Sequence, residues 1–315
     1  MPPSTGGHTP VSSERLCALA GPALARPDAV YVDATVGLGG HAALIAERFP
    51  GVRVIGIDRD PEAVAASRRR LGAAAEVVQA PFARIGEVLD GLGTAADAVL
   101  FDLGVSSAQL DRDERGFAYS RDTRLDMRMD PSGGPTAADI LAGYSKAELA
   151  KLLSDFGQER FAGRIAAAIV AARADGPIER SGQLVELIRA AIPAPARRVG
   201  GHPAKRAFQA LRVAVNGELE QLEAGLPAAI GRLKLGGRII VMSYQSLEDA
   251  IAKRVLGAGA TSTAPPGLPL EPEATKPFLR LLTRGAEHAP PAEVAANPRS
   301  QALRLRAAER IRETP

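Results

Sequence analysis

The stretch from Val30 to Asp60 constrains the fold of this chain more than any other. Val30-Tyr31-Val32 is a short apolar, β-branched run that reads as a buried strand. Gly37, Gly39 and Gly40 follow, and glycine lets a turn run this tight with its backbone open to a ligand. Ala43, Leu44 and Ala46 then recur near helical spacing, which predicts a helix over His41 to Phe49. Val52 to Ile57 reads as a second strand, ended by Asp58. Strand, glycine turn, helix, strand and acid form a nucleotide-binding βαβ unit. Its helix start offers free N–H groups, and its acid suits a ribose hydroxyl pair. Gly37-x-Gly39-x-x-Ala42, with Asp58 about 20 residues on, also fits the dinucleotide fingerprint. The unit alone therefore does not separate NAD from S-adenosylmethionine (AdoMet).

The pattern continues as α/β. Pro61 to Leu71 reads as a helix with Pro61 in its first turn. Glu76 to Gln79 and Ala98 to Phe101 read as the third and fourth strands, with Phe82 in the loop between them. The fourth ends in Asp102-Leu-Gly-Val-Ser-Ser107. In a doubly wound sheet, ligands sit at the carboxyl ends of the strands. Asp33, Asp58 and Asp102 all stand at such ends, so separate strands aim carboxylates at one rim. Any one of them is equally read as a helix N-cap or turn residue. Their convergence marks a candidate active site.

Helical patterns then replace strands. Thr136–Leu141, Lys146–Phe156, Arg160–Arg173, Ser181–Ala191 and Ala204–Leu226 all read as helices, and Ser145-Lys-Ala-Glu148 is a capping box. Strand signals resume at Arg238–Met242, after Leu235-Gly236-Gly237, and a helix is predicted over Ala250 to Val255. Gly257 to Pro277 reads as a loop. Phe278–Thr283 and Ala302–Ala307 read as an antiparallel pair at the sheet's edge. Between Leu187 and Gly217 lie Arg189, Arg197, Arg198, Lys205, Arg206 and Arg212, and no acid. A charge run is usually a solvated helix face. A segment this free of acid points instead to a phosphate backbone.

With 315 residues and 46% hydrophobic content, the chain can bury a large core. Cys17 is its one cysteine, which excludes a disulfide framework and a cysteine zinc site. No run of about 18 apolar residues and no signal-peptide pattern occurs, so a soluble cytoplasmic protein without a membrane partner is expected. Net charge is only +3, so the local distribution of charge matters more than its sum.

These residues resemble the bacterial ribosomal RNA small subunit methyltransferase H (MraW) family. The matching blocks are His8-Thr-Pro-Val11, Gly39-Gly-His41, Asp58-Arg-Asp60, Asp102–Ser107, Gln109-Leu-Asp111, Arg115-Gly-Phe117 and Leu125-Asp-Met-Arg-Met-Asp130. They continue as His202-Pro-Ala204, Phe208–Arg212, Asn216-x-Glu-Leu219, Ser246-Leu-Glu-Asp249 and Asn297-Pro-Arg299, so they span nearly the whole chain. The resemblance implies a class I, Rossmann-like AdoMet-dependent methyltransferase sheet with an inserted all-helical domain. That places the methyltransferase domain at 1–109 plus 213–315 and a helical substrate-recognition domain at 110–212. It implies N4-methylation of a cytidine in the decoding centre of 16S rRNA, with the small ribosomal subunit as partner; no metal is expected, and monomer and homodimer both stay open. Its AdoMet contacts fall on Gly39, Gly40, His41, Asp58, Phe82, Asp102 and Gln109. Asp102 with Ser106 and Ser107 is expected to orient the target amine, and Arg197, Arg198, Lys205, Arg206 and Arg212 to meet RNA. The family usually reads Phe-His-Ser-Leu-Glu-Asp-Arg where this chain has Tyr244-Gln-Ser-Leu-Glu-Asp-Ala250. Gln245 takes no proton near neutral pH, so a histidine base is not available there. The rival readings are a ribosome-assembly factor that retains the fold and, from the glycine turn alone, an NAD-dependent oxidoreductase.

Overall fold

Strands that are apolar on both faces must be covered on both, and this governs the first unit. The structure, a computed structural model, describes residues 10–105, 115–196, 202–265 and 271–313. The chain divides into two compact units, Met1–Gly104 with Leu219–Pro315, and Val105–Glu218. In the first, β1 (Val30–Asp33), β2 (Arg53–Asp58), β3 (Ala75–Gln79), β4 (Ala96–Asp102) and β5 (Leu233–Ser243) run parallel. β6 (Leu279–Leu281) and β7 (Arg304–Arg310) complete a sheet of order β3-β2-β1-β4-β5-β7-β6. β7 is antiparallel to both of its neighbours.

Side chains alternate across this sheet with period two. Val30, Val32, Ile55, Val99, Phe101 and Val241 face one layer, with Leu89, Leu226 and Leu256 from α4 (Ile85–Gly91), α10 (Glu218–Gly231) and α11 (Ser246–Gly259). Tyr31, Val54, Leu100, Ile240 and Met242 face the other, with Leu16, Ile45 and Val64 from α1 (Ser13–Leu24), α2 (Gly40–Arg48) and α3 (Pro61–Leu71). The sheet order reverses direction between β1 and β4, which opens the crevice where such sheets take ligands.

The second unit carries α5 (Ala137–Gly143), α6 (Lys146–Asp155), α7 (Ala162–Ala172), α8 (Ser181–Ala191) and α9 (Lys205–Asn216) around Ile140, Leu152, Ile165, Leu184 and Phe208. The predicted capping box forms: Ser145 N donates to Glu148 Oε2 at 2.7 Å and Glu148 N to Ser145 Oγ at 3.2 Å. Thr136 and Asp139 make a second box at the start of α5. Each such cap contributes about 1 kcal/mol.

Several boundaries differ from the sequence reading. The helix expected over Ala204–Leu226 is two helices, because Gly217 takes φ 59 and caps α9 in the left-handed conformation. β5 begins at Leu233 rather than Arg238. Its glycines do not delimit the strand but bend it, with Gly236 at φ 76 and a register shift against Ala96 and Ala98. α11 runs over Ser246–Gly259, into what read as loops at either end. Among the described residues no helix is long and apolar enough to cross a membrane.

Candidate active site

The glycine turn is built around a carboxylate. Gly37 and Gly39 take φ 52 and 77, a region costly for a side chain-bearing residue. The turn's Gly37 N–H donates to Asp58 Oδ2 at 2.9 Å, and Asp60 N–H donates to Asp58 Oδ1 at 2.9 Å. The acid at the end of β2 thus shapes the turn after β1, with the Arg59 backbone as a further donor to the same carboxylate. Burial pushes the Asp58 carboxyl upward, against these backbone donors.

Asp33 and Asp102 flank it on β1 and β4. Asp33 is 1% exposed and accepts from Thr35 N at 3.2 Å. Burial pushes its carboxyl up to about 7; the charge of His41 opposes the rise and that of Asp102 adds to it. Thr35 Oγ1 accepts the Asp102 backbone N–H at 2.8 Å, tying the two strand ends together. Asp102 Oδ1 accepts from the Tyr244 hydroxyl at 2.8 Å, and Oδ2 lies 3.5 Å from His41 Nδ1. The other ring nitrogen of His41 is 2.9 Å from the Val11 carbonyl. A carbonyl only accepts, so His41 Nε2 carries hydrogen and Nδ1 faces the carboxylate. Burial raises the Asp102 carboxyl, while His41 and the Tyr244 hydrogen bond hold it down.

The other expected site residues divide. Gly39 and Gly40 begin α2 beside His41. Phe82 sits in a short 3-10 turn after β3, its ring edge-on to buried Phe101 at 5.7 Å, so part of it serves the core. Ser106, Ser107, Gln109, Arg197 and Arg198 lie outside the described residues. Lys205 is exposed, and Arg206 is exposed and donates to the Gln158 carbonyl at 3.0 Å. Arg212 differs from what its place in the basic stretch suggested. Its guanidinium is bidentate to Glu218 at 2.9 and 3.0 Å and its side chain is 17% exposed, so it is committed inside the helical unit. Arg189 likewise meets Glu186 at 3.3 Å. Both acids stand just outside the acid-free window.

Sequence reasoning passes over Tyr244 as a site residue, although it follows β5 and so belongs to the same carboxyl rim. Gln245 proves to be a helix-start residue: its Nε2 donates to Glu248 Oε1 at 2.9 Å. Glu248 Oε2 also accepts from Tyr244 N at 2.9 Å and Gln245 N at 3.2 Å. Glu248, 3% exposed, thereby holds the turn that presents Tyr244. Arg306 of β7 pairs with the next acid, Asp249, at 2.7 Å.

Known proteins share this chain along nearly its full length. The protein called ribosomal RNA small subunit methyltransferase H of Nocardia farcinica (strain IFM 10152) is 56% identical over 311 residues, covering 96% of each chain. The protein of the same name from Frankia alni (strain DSM 45986 / CECT 9034 / ACN14a) is 56% identical over 98% of this chain and 96% of its own. That of Beutenbergia cavernae is 56% identical over 98% and 94%. The sequence profile described as the MraW methylase family matches residues 6–311, a span that holds the strand-end acids, the glycine turn and the Tyr244 segment alike, and the chain belongs to that family.

Proposed function

We propose that this protein transfers a methyl group from AdoMet to the exocyclic N4 of a cytidine in the decoding centre of small-subunit rRNA. The observation that carries the reading is the gathering of Asp33, Asp58 and Asp102 around the glycine turn. Carboxylates gathered in this way repel the pyrophosphate that makes NAD net negative and favour AdoMet, whose sulfonium and ammonium make it net positive. Asp58 suits the ribose hydroxyls. Gly39, Gly40 and His41 line the turn at the start of α2. The relatives' shared name speaks for an rRNA substrate.

AdoMet, when bound, supplies an activated methyl on sulfur. The cytosine amine is a poor nucleophile because its lone pair is shared with the ring. The protein's task is alignment and an acceptor for the amine N–H. Asp102, with Ser106 and Ser107 after it, is the acceptor we assign. The methylated amine is strongly acidic and gives its proton to water, so no base in the Tyr244 block is required. The target base must leave its stack to reach the site. The helical unit of 105–218 supplies most of the RNA contact, with Lys205 and Arg206 as exposed cations.

The test is a map of methylated cytidines in small-subunit RNA with and without the gene, paired with binding of labelled AdoMet and labelled NAD. Loss of one N4-methylcytidine and binding of AdoMet alone are expected. An unchanged map with intact ribosome binding would turn the reading into an assembly factor. NAD binding would overturn it.

A further inference from the structure

Groups from two other parts of the first unit stand at the Asp102 carboxylate, and one of them hydrogen-bonds it. His41 of α2 faces Oδ2, and the Tyr244 hydroxyl, beyond the end of β5, takes Oδ1. Tyr244 and Asp102 are 142 residues apart in sequence, so the contact is tertiary. The phenol is itself fixed from behind. Glu248 accepts the Tyr244 backbone N–H, and Arg306 pairs with Asp249 in the first turn of the same helix. The side chain of Asp102 remains 26% exposed, so the carboxylate is anchored and still reachable.

We propose that Tyr244 is the positioning residue of this carboxylate: its hydroxyl fixes the rotation of Asp102 and keeps it ionised toward the target amine. This rests on the reading above, that Asp102 accepts the amine N–H. A phenol has one hydrogen, and here it is spent on Oδ1, so Tyr244 itself offers no donor to substrate. Burial drives Tyr244 to stay protonated, with Asp102 and then Glu248 and Glu293 adding to the effect, so it acts as a fixed donor over the whole working pH range. The groups facing Asp102 are His41 and Tyr244, with Asp33 and the buried phenol of Tyr31 near it on β1. His41 lies farther from the carboxylate, at 3.5 Å against 2.8 Å, so the phenol sets the rotation.

The experiment is Tyr244→Phe, with single-turnover methyl transfer to small ribosomal subunits followed across pH. The ring and its packing stay, and one hydrogen bond goes. A charge-assisted bond removed in this way should lower the rate about tenfold or more while KM for the subunit holds. Without the donor, Asp102 binds a proton more readily, so the acid limb of the rate profile should move to higher pH. 3-Fluorotyrosine placed at position 244, a stronger donor of nearly the same shape, should move that limb to lower pH, and this test remains if the Phe variant does not fold. Asp102→Asn separates the two layers. If it retains the full rate, Asp102 does not orient the amine and the underlying reading fails. If it is impaired while Tyr244→Phe and the fluorinated variant leave rate and limb unchanged, only the role of Tyr244 is overturned.

Discussion

The side-chain amide of Asn216 donates to the Met127 carbonyl at 2.8 Å across 89 residues of chain, and its Oδ1 accepts the Met129 N–H at 2.8 Å. Met127 is fully buried at φ 62, a conformation that costs a side chain-bearing residue about 1–2 kcal/mol. The amide thus holds the Leu125–Asp130 segment in an unfavourable shape. Asn216→Leu should destabilise the helical unit by about 2–3 kcal/mol, because a buried carbonyl and a half-buried N–H lose partners together. Thermal unfolding followed by circular dichroism checks this. A loss below about 0.5 kcal/mol, the size of an ordinary surface change, would mean that the segment holds itself.

Asp33 gives AdoMet binding a pH dependence. Its carboxyl is raised to about 7 in the folded protein from an ordinary 3.8. Between those values the native state keeps a proton that the unfolded chain has lost. This group's contribution to the free protein's stability therefore declines as pH rises toward 7. A cationic ligand favours the ionised form, so AdoMet should bind more tightly as pH climbs through 7 and level off above it. Below 7, binding should release a proton, which calorimetry in buffers of different ionisation enthalpy measures. Asp33→Asn should remove the proton release. Equal release in that variant would assign it elsewhere.

Asp58→Ala should weaken AdoMet binding for two reasons. The ribose loses its acceptor, and the Gly37 N–H loses the oxygen that shapes the turn. Charge-assisted bonds of this type contribute roughly 1.5–3 kcal/mol. Asp58→Asn keeps one acceptor oxygen and should fall between the two. An unchanged dissociation constant for the Ala variant would remove Asp58 from the cofactor site.

The basic stretch separates into two kinds of arginine. Replacing Arg197, Arg198, Lys205 and Arg206 with Ala should weaken RNA binding at low salt and flatten its salt dependence by about one unit of slope for each phosphate no longer neutralised. AdoMet affinity should not change. Arg212→Ala should act on stability instead, by about 3 kcal/mol, since it leaves Glu218 buried without its partner. RNA affinity for the quadruple variant equal to wild type at several salt concentrations would make the stretch a solvated face.

The parts of the fold legible in the sequence are those written locally. Val30–Val32, Val54–Ile57 and Val99–Phe101 alternate between two buried faces, so pattern alone places their strands and the acids that end them. Gly217 and Gly236 mislead because a glycine within an apolar pattern is silent about its φ; one breaks a helix and the other only bends a strand. The basic stretch misleads through the window drawn around it, whose flanking acids, Glu186 and Glu218, are its partners in space. The tie from Tyr244 to Asp102 joins positions with no periodic relation. Only the rule that ligands gather at strand ends, applied to β5 as well as to β4, brings Tyr244 forward.

The seating of β7 has a bearing on how the molecule assembles. Among the described residues β6 has no hydrogen-bonded neighbour in the sheet except β7, and β5 on that side has none either. Without residues 304–310, β5 would present a bare edge and β6 would have no strand to join. β7 lies as a wedge between the two and brings Arg306 to Asp249, at the helix start behind Tyr244. One strand therefore serves two ends: it closes the sheet between β5 and β6 and clasps the helix start that carries Tyr244.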